Sequence, residues 1–334
     1  MDFATALKQD APLLADGATG TNFFAMGLGP GEAPELWNAE NPEIVKTLHR
    51  SFVEAGADIL LTNTFGGTRF RLKLHDAQAR VFELNKLGAE LAREVAAEAD
   101  RPVWVAGSVG PTGELIVPLG ELTFDAAVEG FSEQIAGLKA GGVDVIWIET
   151  MSAPEEIRAA ATAAINAEMP YTACASFDTA GHTMMGLSPE HMGEVFEGLS
   201  QPPVAFGANC GVGAPDLLVA IAAMHKAAPD AAIIAKGNCG VPRFVEDQIH
   251  YSGSPELMAE YARLADDLGV AVVGGCCGTT AEHLAAMREA IDDHVRGAAP
   301  DVDTIVARLG PLVAPQAANR DPSAGRRRGR RRRD

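Results

Sequence analysis

The chain has no apolar run long enough to cross a bilayer, so a membrane-spanning helix is not expected. Its opening stretch, Met1 to Asp10, lacks the basic end and apolar core of an export signal. Cysteine is scarce: five in 334 residues, an odd number that does not suit a disulfide framework. Reduced thiols, a cytoplasmic location and metal or catalytic use of the sulfurs are the corresponding expectations. Basic residues are also few, with 27 Lys and Arg against 45 Asp and Glu and a formal net charge of -18. Seven of those arginines fall in the last nine residues, and without them the body carries 20 basic and 44 acidic residues, a net charge of −24. Such a body does not bind polyanions. The segment 314–334, rich in Pro, Ala and Arg, reads as a disordered, solvated tail beyond a single domain spanning 1–313. A non-catalytic zinc protein using that tail on nucleic acid is the alternative from another class, and nucleic acid is not the expected partner.

What the sequence does have is alternation. Short apolar runs recur between longer helical patterns. They are Leu13 to Ala18, Ile59 to Thr64, Val103 to Val109, Val145 to Thr150, Tyr171 to Phe177, Val204 to Cys210, Ala232 to Asn238 and Val270 to Cys276. A helix is expected from Asn41-Pro42-Glu43, with Asn41 as cap, Ile44, Leu48 and Phe52 on its buried face, and Gly56 ending it. Thr279-Thr280-Ala281-Glu282 fits a capping box. Eight strand–helix units predict a (β/α)8 TIM barrel, with a doubly wound open sheet as runner-up. In a barrel, chemistry gathers at the C-terminal strand ends. Asp16, Asn63, Ser108, Glu149, Asp178, Asn209, Cys210, Asn238, Cys276 and Cys277 all fall there. The long segment from Thr21 to Glu40, carrying Phe23, Phe24, Met26 and Trp37, is expected to cover the mouth, and Pro242 to Ser254 to form a second wall.

Two adjacent cysteines, Cys276 and Cys277, close one strand, and Cys210 closes another. This pattern points to a three-sulfur metal site with one position open, which suits zinc activating a substrate thiol. Two other readings stay open: inert buried thiols, as for mid-strand Cys174, and a closed four-cysteine site that adds Cys239. A Schiff-base aldolase would instead need a buried lysine, and Lys236 is the one lysine placed for it.

At these residues the chain resembles the homocysteine S-methyltransferase family, which includes betaine–homocysteine methyltransferases and the homocysteine domain of cobalamin-dependent methionine synthase. The resemblance rests on Asp16-Gly17-Ala18-Thr19-Gly20-Thr21, on Gly56-Ala57-Asp58-Ile59 with Thr62-Asn63-Thr64-Phe65, and on Gly107-Ser108-Val109-Gly110-Pro111. It also rests on Ile148-Glu149-Thr150, Gly207-Ala208-Asn209-Cys210 and Gly274-Gly275-Cys276-Cys277-Gly278-Thr279. It implies a (β/α)8 barrel, zinc on Cys210, Cys276 and Cys277, homocysteine as methyl acceptor and methionine as product. Glu149 and Asp16 would face the substrate ammonium. Backbone N–H groups around Gly17–Ala18 and Ser108–Val109 would meet its carboxylate, while Asn63 and Asn209 would fix the shell.

The methyl donor is less legible. Phe24, Trp37 and Phe65 could cage an onium such as betaine, dimethylsulfoniopropionate or S-methylmethionine. Gly66 stands where the animal betaine enzymes carry an aromatic, and the Gly-Gly-Cys-Cys-Gly-Thr-Thr run is closer to the methionine synthase branch. The reading therefore favours methylcobalamin carried by a separate corrinoid protein, with a small onium as alternative. Oligomeric state is not legible, and a homo-oligomer is left open.

Overall fold

The computed structural model of the chain describes residues 2–240, 242–245 and 248–313. The Arg-rich tail expected over 314–334 lies outside the described residues. The strands are β1 (Leu13–Ala15), β2 (Ile59–Leu61), β3 (Trp104–Val109), β4 (Val145–Met151), β5 (Tyr171–Ala175), β6 (Ala205–Cys210) and β7 (Ile233–Gly237). A hairpin follows, β8 (Pro242–Val245) and β9 (Gln248–Tyr251), and then β10 (Val272–Gly275). Eight of them form a closed parallel barrel in the order β1-β10-β7-β6-β5-β4-β3-β2. Closure is made by β1 on β10, with Leu13 beside Val272 and Ala15 beside Gly274. It excludes the open sheet. The segment after β7 is the antiparallel pair β8–β9.

Helices cover the barrel, and local chemistry explains where they start and stop. The helix Pro42–Glu54 buries Val45, Leu48, His49 and Phe52, while Ile44 is only half buried. Asn41 precedes it without a capping bond, so Pro42 in the first turn, with no N–H to satisfy, sets its start. Gly56, at φ 98°, takes the left-handed conformation that turns the chain into β2. The box before the helix Ala281–Asp292 is closed by His283 rather than Glu282: its Nδ1 accepts the Thr280 N–H at 3.2 Å. After β5 no α-helix forms. Two short 3-10 turns, Pro189–His191 and Gly193–Phe196, take its place, because Gly181, Gly186, Pro189, Gly193 and Gly198 interrupt that stretch. Among the described residues, no helix is long and apolar enough to cross a membrane.

The period-two alternation of the strands separates two cores. Leu14, Leu60, Val105, Ile146, Ile148, Phe206 and Val273 pack outward with the helices. The residues between them, Leu13, Ile59, Trp104, Val145, Trp147, Cys174, Ile234 and Val272, fill the barrel interior, and Phe3, Ala6 and Leu7 join them. Inward positions one or two alternations further along seven of the eight barrel strands are polar: Asn63, Ser108, Glu149, Ser176, Asn209, Lys236 and Cys276. The apolar floor therefore gives way to a polar ceiling at the C-terminal mouth. Trp147 is fully buried in that floor. Trp147→Ala should cost about 3–5 kcal/mol in denaturant unfolding, as expected for a large core aromatic; a loss below about 1 kcal/mol would place its ring outside the load of the core.

Candidate metal and substrate site

Cys210, Cys276 and Cys277 meet at the mouth, with their sulfurs within 4.8 Å of one another. Cys210 is in the left-handed region at φ 62°, a turn at the end of β6 that points its thiol across to the end of β10. Three thiolates at this spacing repel one another strongly. Hydrogen bonds from Cys210 and Cys276 lower the pKa of Cys277 to about 3, while the Cys276 thiol is pushed up to about 11 and Cys210 far above the usual range. Full deprotonation of the trio needs a cation among them, and three sulfurs are a soft donor set. The trio fits a metal ion. Cys239, two residues beyond β7, is 1% exposed in the outer core and outside the trio, with burial pushing its thiol up to about 11. The four-cysteine reading is corrected accordingly: consecutive strand residues point opposite ways, and Asn238 takes the inward direction. Cys174 is buried in the barrel floor, away from the mouth.

The three cysteines lie on the wall of a cavity of about 430 Å³. Gly17, Ala18, Asn63, Ser108, Glu149, Phe24 and Phe65 line it, as the sequence led us to expect, and so does Lys236. Glu149 is 7% exposed, its Oε1 accepts the Ser108 hydroxyl at 2.5 Å, and burial raises its pKa to about 7. Asn209 clamps it from the neighbouring strand. Its Oδ1 accepts the Thr150 N–H at 2.7 Å and its Nδ2 donates to Thr150 Oγ1 at 2.7 Å and to Glu149 Oε2 at 3.5 Å. Thr150 needs the clamp, since a β-branched residue at φ 58° is strained by about 1–3 kcal/mol.

Three expectations are corrected by placement. Asp16 is wholly buried and does not line the cavity; it faces the Lys236 ammonium at 3.2 Å and accepts the Leu61 N–H at 2.8 Å, and burial raises its pKa to about 6. Asn209 does not line the cavity either, because its amide is engaged by the Thr150 clamp. Trp37 is buried against Phe23, ring centroids 5.1 Å apart, and anchors the covering segment instead of facing a donor. Asn63 reaches the cavity, but its Nδ2 is engaged by Pro34 O at 2.7 Å and Asn38 Oδ1 at 2.9 Å, so it ties that segment down. Two of the expected carboxylate donors are also engaged: Ala18 N–H with Thr279 O at 3.1 Å and Ser108 N–H with Thr62 Oγ1 at 3.0 Å. Gly17 is required here, since a Cβ would lie 2.6 Å from Thr279 O. Asp178, half buried, bonds to Ser176 and Thr179 and stays off the cavity.

The sequence reading missed four cavity-lining groups, Glu32, Glu35, Arg71 and His75; Glu32 lies in a turn and the others in helical pieces of three or four residues, too short for periodicity to mark. It also missed Tyr251, whose hydroxyl bonds to the Cys277 sulfur and whose ring packs where a Gly278 side chain would stand.

The family profile described as Homocysteine S-methyltransferase matches residues 13–291. Among solved structures, the homocysteine methyltransferase MmuM from Escherichia coli is similar in several forms. Its metallated form is 24% identical with a TM-score of 0.71, the match covering 86% of this chain and 98% of that one. Its oxidised form is 26% identical with a TM-score of 0.67, covering 84% and 96%. A barrel with three sulfurs at its mouth, carrying this profile over most of its length, belongs to the homocysteine S-methyltransferase family and is a methyltransferase acting on homocysteine.

Proposed function

We propose that this chain methylates the sulfur of homocysteine to give methionine, with zinc on Cys210, Cys276 and Cys277 and a small carboxylate-bearing onium compound as donor. The observation that carries the reading is one cavity joining the three sulfurs and Glu149 to an outer wall of exposed aromatics and charges. Zinc bound there would deprotonate the incoming thiol and keep its sulfur nucleophilic. The chain's own residues do the rest. Ionised Glu149 takes the substrate ammonium, held in place by Ser108 and the Asn209 clamp. The new S–CH3 bond forms as the donor's onium–CH3 bond breaks, and the donor leaves as a neutral amine or sulfide. No proton moves in that step.

Several features support a small donor. Phe24 is 55% exposed and Phe65 38% exposed, and both line the cavity. Aromatic faces attract onium groups. Glu32 and Glu35 stand on the same wall, and Arg71 adds positive charge there, beside His75. Such a wall suits a zwitterion. Glu35 itself is buried, with its pKa raised by burial, and accepts the Gly66 N–H at 2.5 Å. Methylcobalamin on a separate corrinoid protein is the second reading, favoured by the Gly274-Gly275-Cys276-Cys277-Gly278-Thr279-Thr280 run, which resembles the methionine synthase branch. Offering homocysteine with betaine, dimethylsulfoniopropionate, S-methylmethionine and methylcobalamin separately to the zinc-loaded protein tests the choice. Turnover with one small onium is expected, and turnover with methylcobalamin alone would replace this donor by a corrinoid.

Two further outcomes are expected. Arg71→Ala should raise the KM for a carboxylate-bearing donor about tenfold, one lost charge contact, with the homocysteine KM unchanged; a change confined to homocysteine would move Arg71 to the acceptor side. Glu149→Gln should weaken homocysteine binding and yet stabilise the fold at high pH. Its folded pKa of about 7 lies above the unfolded value of about 4.3. The folded chain therefore holds the proton more tightly, and stability is lost as pH rises through that window. The variant should melt higher than the wild type at pH 8 and close to it at pH 4; equal melting at both would show that burying Glu149 costs nothing.

A further inference from the structure

Lys236 is a charged group on the cavity wall that neither the acceptor nor the donor reading uses. It occupies the inward position of β7 above Ile234, is 2% exposed, and its register partners are Asn209 on β6 and Gly274 on β10. Its Nζ donates to Gly275 O at 2.7 Å and, more weakly, to Gly17 O at 3.4 Å. Asp16 Oδ1 lies 3.2 Å away as an ion-pair partner, out of line for a hydrogen bond. The shortest contact of the ammonium is therefore with a backbone carbonyl, not with its counter-charge.

That carbonyl is the one preceding the paired cysteines. The N–H of the same peptide unit, on Cys276, donates to Gly237 O at 2.7 Å. Both ends of the Gly275–Cys276 peptide are thus held by consecutive residues of β7, the carbonyl by the Lys236 side chain and the N–H by the Gly237 backbone. A peptide plane fixed at both ends fixes the direction in which the next Cα presents its side chain. Gly275 cannot supply this rigidity itself, since glycine restrains its backbone least. The Gly17 contact ties the first loop to the same point, where Gly275 N–H also meets Asp16 O at 3.2 Å.

We propose that Lys236 is a positioning residue of the metal site: it clamps the Gly275–Cys276 peptide and so aims the Cys276 sulfur at its partners. The proposal rests on the metal reading above. Asp16 then serves to keep a buried ammonium balanced.

The competing account makes Lys236 only the counter-ion of Asp16. Three variants of the full chain separate them. Lys236→Met keeps much of the side-chain volume but leaves Asp16 as an uncompensated buried charge, which is damaging by itself. The double variant Asp16→Asn with Lys236→Met is neutral and still lacks the clamp. Zinc affinity by chelator competition, the absorption of the cobalt-substituted protein, and thermal melting are read on each. The double variant should melt near the wild type, bind zinc about 10–100-fold more weakly, as loss of a supporting contact around a metal does, and show a shifted cobalt–thiolate band. Asp16→Asn alone should keep most of the affinity. A double variant with wild-type zinc affinity and cobalt spectrum overturns the clamp and leaves an ion pair. Wild-type protein that binds no zinc overturns the metal reading itself, a failure visible before any variant is compared.

Discussion

Alternation around a closed ring of parallel strands is the constraint on which everything else depends. Because β1 pairs with β10, every barrel strand has two neighbours and every second side chain points at the axis. The floor is filled by apolar groups such as Trp104, Trp147 and Ile234. Further along the same strands, the same inward direction delivers Ser108, Glu149, Asn209, Lys236 and Cys276 to one place. Residues far apart in sequence, Glu149 and Cys276 among them, meet because register and parity leave them nowhere else to point. The site is the barrel's own interior, made polar where it opens.

Polarity in such a place is costly, and the site shows how the cost is offset. Lys236 faces Asp16, Ser108 and Asn209 bond to Glu149, and the thiols lean on one another and on Tyr251. Burial holds Glu149 at about 7 and Asp16 at about 6. Burial alone would discharge Lys236, but Asp16, Glu149 and Cys276 around it outweigh that and keep its pKa above the usual lysine value. Backbone strain gathers at the same strand ends, at Thr150 and Cys210. Perturbed acids, a buried ammonium and left-handed residues in one cleft are what a working site looks like when seen through its energetics.

Most of this was legible in the sequence. Eight apolar runs marked the strands, and glycine-flanked Cys276–Cys277 with Cys210 at another strand end marked the sulfurs. Strand ends were read too long: β1 stops at Ala15 and β2 at Leu61, three residues early in each case, where the chain bends to the mouth. What the pattern could not carry was side-chain direction after that bend. Asp16 and Asn209 were read as substrate contacts, yet they turn to Lys236 and Thr150. Trp37 was read as facing a donor, yet an indole in a covering segment finds more buried surface against Phe23. Lys236 was visible but weighed only as a Schiff-base lysine, because nothing in the sequence reports that its ammonium meets Gly275. Arg71 and His75 sit in helical pieces of four and three residues, too short for a pattern to give their geometry.

X-ray absorption at the zinc edge, with and without homocysteine, tests the central claim most directly. The account predicts three sulfurs near ~2.3 Å and one lighter neighbour in the free protein, becoming four sulfurs when homocysteine is added. Four sulfurs before substrate, or three that never change, would contradict it.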